Sequence, residues 1–180
     1  DMWVKYFFLK RLLKGKLKNI KLIVSDVDGV LTKGEIGYSG GISGLKFFNV
    51  KDGLAVKLLQ KNDIKIAFIS GGDSEATMNR AKSLMIDECH TNVDKKSEIL
   101  KEIQKRLSIP IESTLYIGDD INDLEVLPYV SLFLAPKDCN YLVEKKANIK
   151  LISRGGDGVL REVCDMLLAL KDLKNIESTN

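Results

Sequence analysis

The sequence KLIVSDVDGVLT, residues 21–32, carries an apolar run into two aspartates, Asp26 and Asp28, that one residue separates. The run predicts a buried strand over about residues 21–28, and Gly29 allows the chain to turn away where the strand ends. Ligands of open α/β sheets bind beyond the carboxyl ends of the strands, so chemistry is expected at these two carboxylates. Such a pair can hold a hard cation and supply both a nucleophile and a proton donor, which are the parts that a phosphatase needs.

Strands and helices alternate along the rest of the chain. Further buried strands are expected at 65–69, 115–117 and 131–134, with short strands near 87–90 and 149–152. Helices are expected at about 52–62, 74–85, 95–107, 121–127, 138–146 and 158–171, and the glycine-rich stretch 33–50 predicts a β-hairpin. This order predicts an α/β fold with a doubly wound parallel sheet in one domain, residues 21–171, followed by a C-terminal tail, 172–180.

Three polar turns are expected to meet at one edge of this sheet. Right-handed crossovers place every strand-to-helix turn on the same side of a parallel sheet. The turns are Asp26–Asp28, Ser70–Gly72 and Gly118–Asp123. The sequence therefore predicts a polar site built from residues that lie far apart along the chain.

The positive charge of the chain is concentrated at its N-terminus. Residues 1–21 carry a net charge of +6 and the remainder about −3, so the body of the protein is not expected to bind nucleic acid. Residues 1–20 are expected to form a basic arm. In one interpretation the arm packs on the protein or is solvated, and in the other it docks on a membrane surface or a partner. No apolar run approaches the roughly 20 residues of a transmembrane helix. Three widely spaced cysteines favour reduced thiols in a cytoplasmic protein.

Four motifs, in order, resemble those of the haloacid dehalogenase superfamily of phosphotransferases. They are DVDGVLT at 26–32, Ser70 at the end of a strand, Lys95 or Lys96 at the start of a helix, and GDDIND at 118–123. The resemblance covers about residues 20–170 and implies a Rossmann-like core. The set is more specific than any of its members because all four occur in the family's order.

The resemblance implies a nucleophile, an acid–base group and a metal site. Asp26 would attack phosphorus and form an aspartyl-phosphate, while Asp28 would protonate the leaving alcohol and then accept a proton from water. Mg²⁺ would be held by the Asp26 carboxylate, the backbone carbonyl of Asp28 and Asp119.

The remaining motif residues would support this centre. Ser70 would donate to a phosphoryl oxygen, and Lys96, which the family's register favours over Lys95, would neutralise charge on phosphate and nucleophile. Asp123 would position the metal shell or Lys96. Asp120 either acts through a water or only caps the following helix.

Two further stretches, FNVKDG at 48–53 and GGDGVLRE at 155–162, resemble the 3-deoxy-D-manno-octulosonate 8-phosphate (KDO 8-phosphate) phosphatase family and its relatives that act on nonulosonate 9-phosphates. The resemblance implies a homotetramer of subunits without a cap domain, covered only by the hairpin at 33–50. It also implies a phosphorylated 2-keto-3-deoxy sugar acid as substrate, in cell-surface polysaccharide biosynthesis. The implied substrate-binding residues are Asn49, Val50, Lys51, Asp52, Gly53, Lys57, Gly71 and Arg80.

Two positions depart from the octulosonate enzymes, which usually carry an arginine where this chain has Gly72 and Asp157. An acidic residue at 157 is more similar to the branch that hydrolyses 2-keto-3-deoxynononate or sialic acid 9-phosphates. Two other interpretations are an accessory phosphatase-like module of a cytidylyltransferase pathway and a non-catalytic assembly module. Clustered carboxylates argue against a scaffold, because without a metal their repulsion would destabilise it.

Overall fold

Six parallel strands form the central sheet of the protein, whose computed structural model describes residues 11–39, 42–86 and 88–171. Strand β1 lies in the middle, between β4 and β6. Across the sheet the strands are β5 (Glu88–His90), β4 (Lys65–Ile69), β1 (Leu22–Ser25), β6 (Thr114–Ile117), β7 (Leu132–Ala135) and β8 (Ile149–Lys150). All five pairings are parallel, which confirms the predicted doubly wound sheet.

Six described helices and two 3₁₀ segments connect the strands. They are α1 (Lys14–Lys18), α2 (Val50–Lys61), α3 (Glu75–Ser83), α4 (Lys96–Leu107), α5 (Tyr141–Lys146), α6 (Val159–Lys171), and the 3₁₀ segments Ile111–Ser113 and Ile121–Tyr129. Side-chain hydrogen bonds cap the first turns of several helices. Oδ1 of Asn49 accepts the N–H of Lys51 at the start of α2, and Oγ of Ser74 accepts the N–H of Thr77 at the start of α3. Such caps set the residue at which each loop ends and each helix begins.

The segment Ile121–Tyr129 is a 3₁₀ helix that begins within the GDDIND motif at 118–123. Asp120 is its N-cap: its Oδ1 accepts the N–H of Ile121 at 2.7 Å, and it shares a capping box with Asp123. Asp120 therefore occupies a capping position, one of the two roles considered for it. Pro128 lies within the last turn and lacks an N–H to continue the ladder.

Two apolar layers cover the faces of the sheet. Along β1, Ile23 contributes to one layer, whereas Leu22 and Val24 contribute to the other, as the alternation of a strand requires. Helices α2 and α6 pack together on the first face, and α4 packs with the 3₁₀ helix Ile121–Tyr129 on the second. All four residues of β1 are buried, which explains its nearly continuous apolar sequence.

Two segments outside the sheet bear on the predictions. The hairpin consists of β2 (Gly37–Ser39) and β3 (Ile42–Leu45), antiparallel and separate from the main sheet. In the N-terminal arm, α1 packs against α6 and buries Leu17. Residues 1–10 of the arm and the predicted tail, 172–180, lie outside the described residues. Over the described part of the chain, every helix is too short or too polar to span a bilayer.

Candidate active site

Three loops meet at the carboxyl edge of the sheet. Strand β1 leads into Asp26 and Asp28, β4 into Ser70, and β6 into the loop that carries Asp119. Because β1 lies between β4 and β6, its end is the switch point at which a crevice opens in doubly wound sheets. The N–H of Asp26 donates to the carbonyl of Ile117 at 2.9 Å, so β1 and β6 stay in register up to the first aspartate.

A buried lysine pairs with two carboxylates in this crevice. Nζ of Lys96 lies 3.0 Å from Oδ1 of Asp26 and 2.7 Å from Oδ1 of Asp123, and Lys96 is only 1% exposed. Burial by itself would lower the pKa of Lys96, but the charges of Asp26 and Asp123 raise it above its ordinary value. Lys95, by contrast, is exposed and pairs with Glu98 at 3.4 Å. The register of α4 thus directs Lys96 into the site.

Both oxygens of Asp123 accept hydrogen bonds from surrounding groups. Oδ1 accepts from Nζ of Lys96 at 2.7 Å and from the hydroxyl of Tyr116 at 2.8 Å. Oδ2 accepts the backbone N–H groups of Asp119 at 3.0 Å and Asp120 at 3.3 Å. Asp123 therefore holds the loop and the lysine in place. Sequence reasoning missed Tyr116, although a buried tyrosine hydroxyl on a strand requires a partner.

Asp26 and Asp119 face each other as a pair of carboxylates. One oxygen from each of Asp26, Asp119 and Asp123 lies within 4.8 Å of the others, and Oδ1 of Asp119 is buried without a hydrogen-bond partner among the described residues. The pKa of Asp119 is raised, mainly by burial and next by the negative charges of Asp26 and Asp123. The pKa of Asp26 is also raised, mainly by burial and next by the charge of Asp123. Hard oxygen ligands with an orphaned acceptor fit a divalent cation such as Mg²⁺. Asp26, Asp119 and the backbone carbonyl of Asp28 would hold it.

Two glycines allow the backbone to approach the site closely. A Cβ on Gly29 would lie 2.0 Å from Oδ2 of Asp119, and the residue has a φ of +89°. A Cβ on Gly155 would lie 2.1 Å from the carbonyl oxygen of Gly29. The loop before α6 therefore packs directly against the turn that follows β1. Any side chain at Gly29 would displace the carboxylate of Asp119.

We expect Gly29→Ala to abolish the rise in melting temperature that Mg²⁺ gives the wild type. Saturating ligand at about 100 times its Kd stabilises a protein by about 2.7 kcal/mol, which thermal unfolding with and without Mg²⁺ measures readily. Gly34→Ala is the matched control: its φ is also positive, +74°, but a Cβ there would approach no atom closer than 3.5 Å. Both variants lose about 1–2 kcal/mol to backbone strain. A full magnesium response in Gly29→Ala would contradict the role of Asp119.

The carboxylate of Asp28 has a different set of contacts from that of Asp26. Its Oδ2 accepts from Nζ of Lys46 at 2.7 Å and from Oγ of Ser70 at 3.4 Å, and Oγ1 of Thr32 lies 3.5 Å from its Oδ1. Ser70 and Asp28 therefore lie next to each other, and their roles stay predictions. Lys46 was not predicted, because no motif marks a lysine at the end of the hairpin.

Helix α4, which carries Lys96, is capped by a residue from a distant segment. Its N-cap residue, Lys95, makes no side-chain cap. Instead, Oε1 of Glu125 accepts the N–H of Lys96 at 2.6 Å and its Oε2 accepts the hydroxyl of Ser97 at 3.0 Å. A carboxylate is favourable at the positive end of a helix. Sequence reasoning missed Glu125, since the contact joins residues 29 positions apart.

Two of the predicted substrate-binding residues, Asn49 and Arg80, lie together. Nη2 of Arg80 donates to the carbonyl of Asn49 at 3.1 Å, and its guanidinium lies over the ring of Phe48, 5.7 Å from the centroid. Nδ2 of Asn49 donates to the carbonyl of Gly156 at 3.1 Å. These contacts join the start of α2, helix α3 and the loop before α6.

The other predicted substrate residues fall into a buried and an exposed group. Asp52 is buried, accepts the N–H of Arg161 at 2.9 Å, and has its pKa raised to about 6 by burial. Gly53 leaves room for Arg80, whose Nη2 would lie 2.7 Å from a Cβ there. The exposed residues are Val50, Lys51, Lys57 and Gly71. No hydrogen bond or ion pair within the described residues joins these four residues to the carboxylates of Asp26, Asp28 or Asp119.

The two positions that depart from the octulosonate enzymes lie in different surroundings. A Cβ on Gly72 would lie 3.6 Å from Oδ2 of Asp28 and 3.8 Å from Oγ of Ser70, so a side chain at position 72 would enter the site. Asp157 is half exposed, and Nζ of Lys33 lies 4.0 Å from its Oδ1. A charged side chain at position 72 would therefore lie directly beside Asp28, and Gly72 places no charge there.

Comparison with known proteins agrees with this geometry. A family model for haloacid dehalogenase-like hydrolases matches residues 61–163. The chain is 34% identical over 167 residues to the 3-deoxy-D-manno-octulosonate 8-phosphate phosphatase KdsC of Haemophilus influenzae, covering 93% of each protein. It is also 35% identical over 153 residues to the Escherichia coli K12 enzyme of the same name, covering 85% of this chain and 81% of that protein.

Solved structures show the same similarity. The Moraxella catarrhalis 3-deoxy-D-manno-octulosonate 8-phosphate phosphatase, in complex with magnesium, phosphate and KDO, superposes with a TM-score of 0.86 at 31% identity, over 90% of this chain and 93% of that one. A cobalt-bound deoxy-D-mannose-octulosonate 8-phosphate phosphatase from Haemophilus influenzae superposes with a TM-score of 0.84 at 35% identity. The match covers 87% of this chain and 92% of that one. The chain therefore belongs to the haloacid dehalogenase-like hydrolases, within the family of the 3-deoxy-D-manno-octulosonate 8-phosphate phosphatases.

Proposed function

We propose that the protein is a Mg²⁺-dependent phosphatase that hydrolyses KDO 8-phosphate through an aspartyl-phosphate on Asp26. The observation that carries this proposal is the position of the Asp26 carboxylate at the switch point of the sheet, 3.0 Å from the buried cation of Lys96 and within 4.8 Å of a carboxylate oxygen of Asp119. Phosphoryl transfer depends mainly on positioning and on neutralising charge, and this arrangement supplies both. The Haemophilus influenzae and Moraxella catarrhalis relatives act on, or bind, the same sugar acid.

Asp26 is held as an oriented nucleophile. Its Oδ1 accepts the N–H of Val27 at 2.7 Å and lies 3.0 Å from Nζ of Lys96. These contacts fix its rotamer, so that a carboxylate oxygen can attack phosphorus with little loss of entropy. Mg²⁺, which Asp26, Asp119 and the backbone carbonyl of Asp28 would hold, would supply neutralisation of the negative charge on the phosphoryl group. Lys96, which contacts Asp26, would neutralise further negative charge on the nucleophile and the phosphoryl group.

Asp28 and Ser70 serve the leaving group and the phosphoryl oxygens in this mechanism. Asp28 protonates the sugar oxygen as its bond to phosphorus breaks, and then takes a proton from the water that hydrolyses the phosphoenzyme. Ser70, whose hydroxyl lies 3.4 Å from Oδ2 of Asp28, donates to a phosphoryl oxygen. The half-exposed Asp28 is accessible to substrate, whereas Asp26 lies deeper.

A nonulosonate 9-phosphate is the second candidate substrate. Gly72 faces Asp28 and Ser70, and Asp157 stands where the octulosonate enzymes usually have an arginine. Both differences remove a cation that could pair with a substrate carboxylate. The substrate class, a phosphorylated 2-keto-3-deoxy sugar acid, is common to the two candidates.

The deciding experiment measures phosphate release with Mg²⁺ from KDO 8-phosphate, a nonulosonate 9-phosphate and simple hexose phosphates. We expect kcat/KM for KDO 8-phosphate to exceed that for the others. Preference for the nonulosonate ester would support the second candidate, and equal rates on all would leave a phosphatase without sugar-acid specificity. No turnover despite Mg²⁺ binding would favour an accessory or assembly module.

We also propose that the protein forms a homotetramer through the region of its hairpin. The exposed apolar side chains around the hairpin and the start of α2 support this assembly, because patches of this kind mark interaction surfaces. They are Ile36, Leu45, Phe47, Val50 and Leu54. Sedimentation equilibrium should give four times the chain mass, and Phe47→Asp should lower it. A monomeric wild type would contradict the proposal.

A further inference from the structure

A lysine at the base of the hairpin makes the shortest contact of the acid–base carboxylate. Lys46 follows β3 directly, and its Nζ donates to Oδ2 of Asp28 at 2.7 Å. The side chain of Lys46 is 12% exposed, whereas that of Asp28 is 40% exposed. The other contacts of this carboxylate within the described residues are longer: Ser70 at 3.4 Å and Thr32 at 3.5 Å.

We propose that Lys46 is a positioning residue that holds Asp28 in the orientation needed for proton transfer. The inference rests on the proposed role of Asp28 as the acid–base group. The terminal torsion of an aspartate is broad, so a half-exposed carboxyl needs an external contact to fix its direction. A charge-assisted hydrogen bond is about twice as strong as a neutral one, and among the described residues Lys46 provides it.

The contact leaves the chemistry of Asp28 intact. Lys46 holds Oδ2, so the transferable proton resides on Oδ1. In the first step an oxygen of Asp26 bonds to phosphorus, the bond from phosphorus to the sugar oxygen breaks, and the Asp28 proton passes to that oxygen. In the second step a water oxygen bonds to phosphorus, the bond to Asp26 breaks, and Asp28 takes a proton from the water. Lys46 keeps its own protons throughout.

The same contact couples the hairpin to the reaction. Lys46 is the residue at which the hairpin returns to the domain, 18 positions after Asp28. The orientation of the acid–base group therefore depends on the placement of the hairpin. A misplacement of about 1 Å in a catalytic group can reduce a rate about 100-fold.

The test compares two leaving groups. An alkyl phosphate needs a proton on its departing oxygen, whereas p-nitrophenolate leaves without one, and kcat/KM reports only the steps up to formation of the phosphoenzyme. We expect Lys46→Met to lower kcat/KM for the sugar phosphate about 10- to 100-fold, within the contribution of a positioned acid. The value for p-nitrophenyl phosphate should fall less than about threefold, because no proton is required.

Two further variants complete the design. Lys46→Arg keeps the charge and should retain more activity on the alkyl ester than Lys46→Met does. Lys61→Met, at the exposed far end of α2, is the control for loss of a lysine. It should leave kcat/KM unchanged for both the sugar phosphate and p-nitrophenyl phosphate. Circular dichroism melts verify that each variant is folded, and Lys46→Gln, which also removes the charge, replaces Lys46→Met should that variant unfold.

Equal losses on both esters would overturn the proposal, since they would place Lys46 on the phosphoryl group and not on Asp28. An unchanged alkyl rate in Lys46→Met would overturn it as well. The comparison requires only that the wild type hydrolyse one alkyl and one aryl phosphate. A wild type that rejects KDO 8-phosphate but hydrolyses hexose phosphates would thus refute the proposed substrate and still test Lys46.

Discussion

Asp26→Asn is expected to lower turnover by at least about 10⁴-fold, because an amide cannot form the aspartyl-phosphate and loss of a nucleophile removes the covalent route. The fold should persist: asparagine has the same shape, and its Oδ1 can still accept the N–H of Val27. Steady-state phosphate release measures the loss. Mass spectrometry of acid-quenched wild type should find the phosphoryl group on the peptide that contains Asp26.

Two comparison variants make this result specific. Asp28→Asn should impair turnover but keep the magnesium-dependent rise in melting temperature, because its backbone carbonyl is unchanged. Asp63→Asn changes a carboxylate at the opposite edge of the sheet, in a left-handed conformation that asparagine tolerates, and should have no effect. Near-normal activity of Asp26→Asn would refute the mechanism.

Lys96→Met is expected to abolish activity and to lower the free energy of unfolding by about 3–5 kcal/mol, the usual effect of removing one partner from a buried ion pair. Methionine fills a similar volume but leaves the carboxylates of Asp26 and Asp123 without their shared cation. Phosphate release and urea denaturation measure the two effects.

The adjacent lysine provides a matched control. Lys95 has a 68% exposed side chain and one surface ion pair with Glu98, so Lys95→Met should change stability by less than about 0.5 kcal/mol and leave turnover intact. An inactive Lys95→Met beside an active Lys96→Met would contradict the helical register that directs Lys96 into the site. Addition of Mg²⁺ should restore part of the lost stability in Lys96→Met, since it offsets the same negative charge.

Much of the fold could be predicted because its signals are local. The apolar runs at β1, β4, β6 and β7 identify buried strands, and the alternation with helices leaves few topologies other than a parallel sheet. The element boundaries were harder to predict. The first strand ends at Ser25 and not at 28, because Asp26 and Asp28 lie in the turn that makes the site.

The candidate site likewise contains residues that the sequence predicts and residues that only the tertiary structure reveals. The sequence by itself placed Asp26, Asp28, Ser70 and Asp119 at strand ends, since a strand followed by a turn is a short-range pattern. The family's register favoured Lys96 over Lys95, but only the tertiary structure shows that Lys96 reaches Asp26 and that Asp123 accepts from four donors. It also revealed Tyr116, Glu125 and Lys46. These contacts join segments distant in sequence, and their geometry depends on sheet register, helix phase and close backbone approach at Gly29, none of which a local pattern encodes.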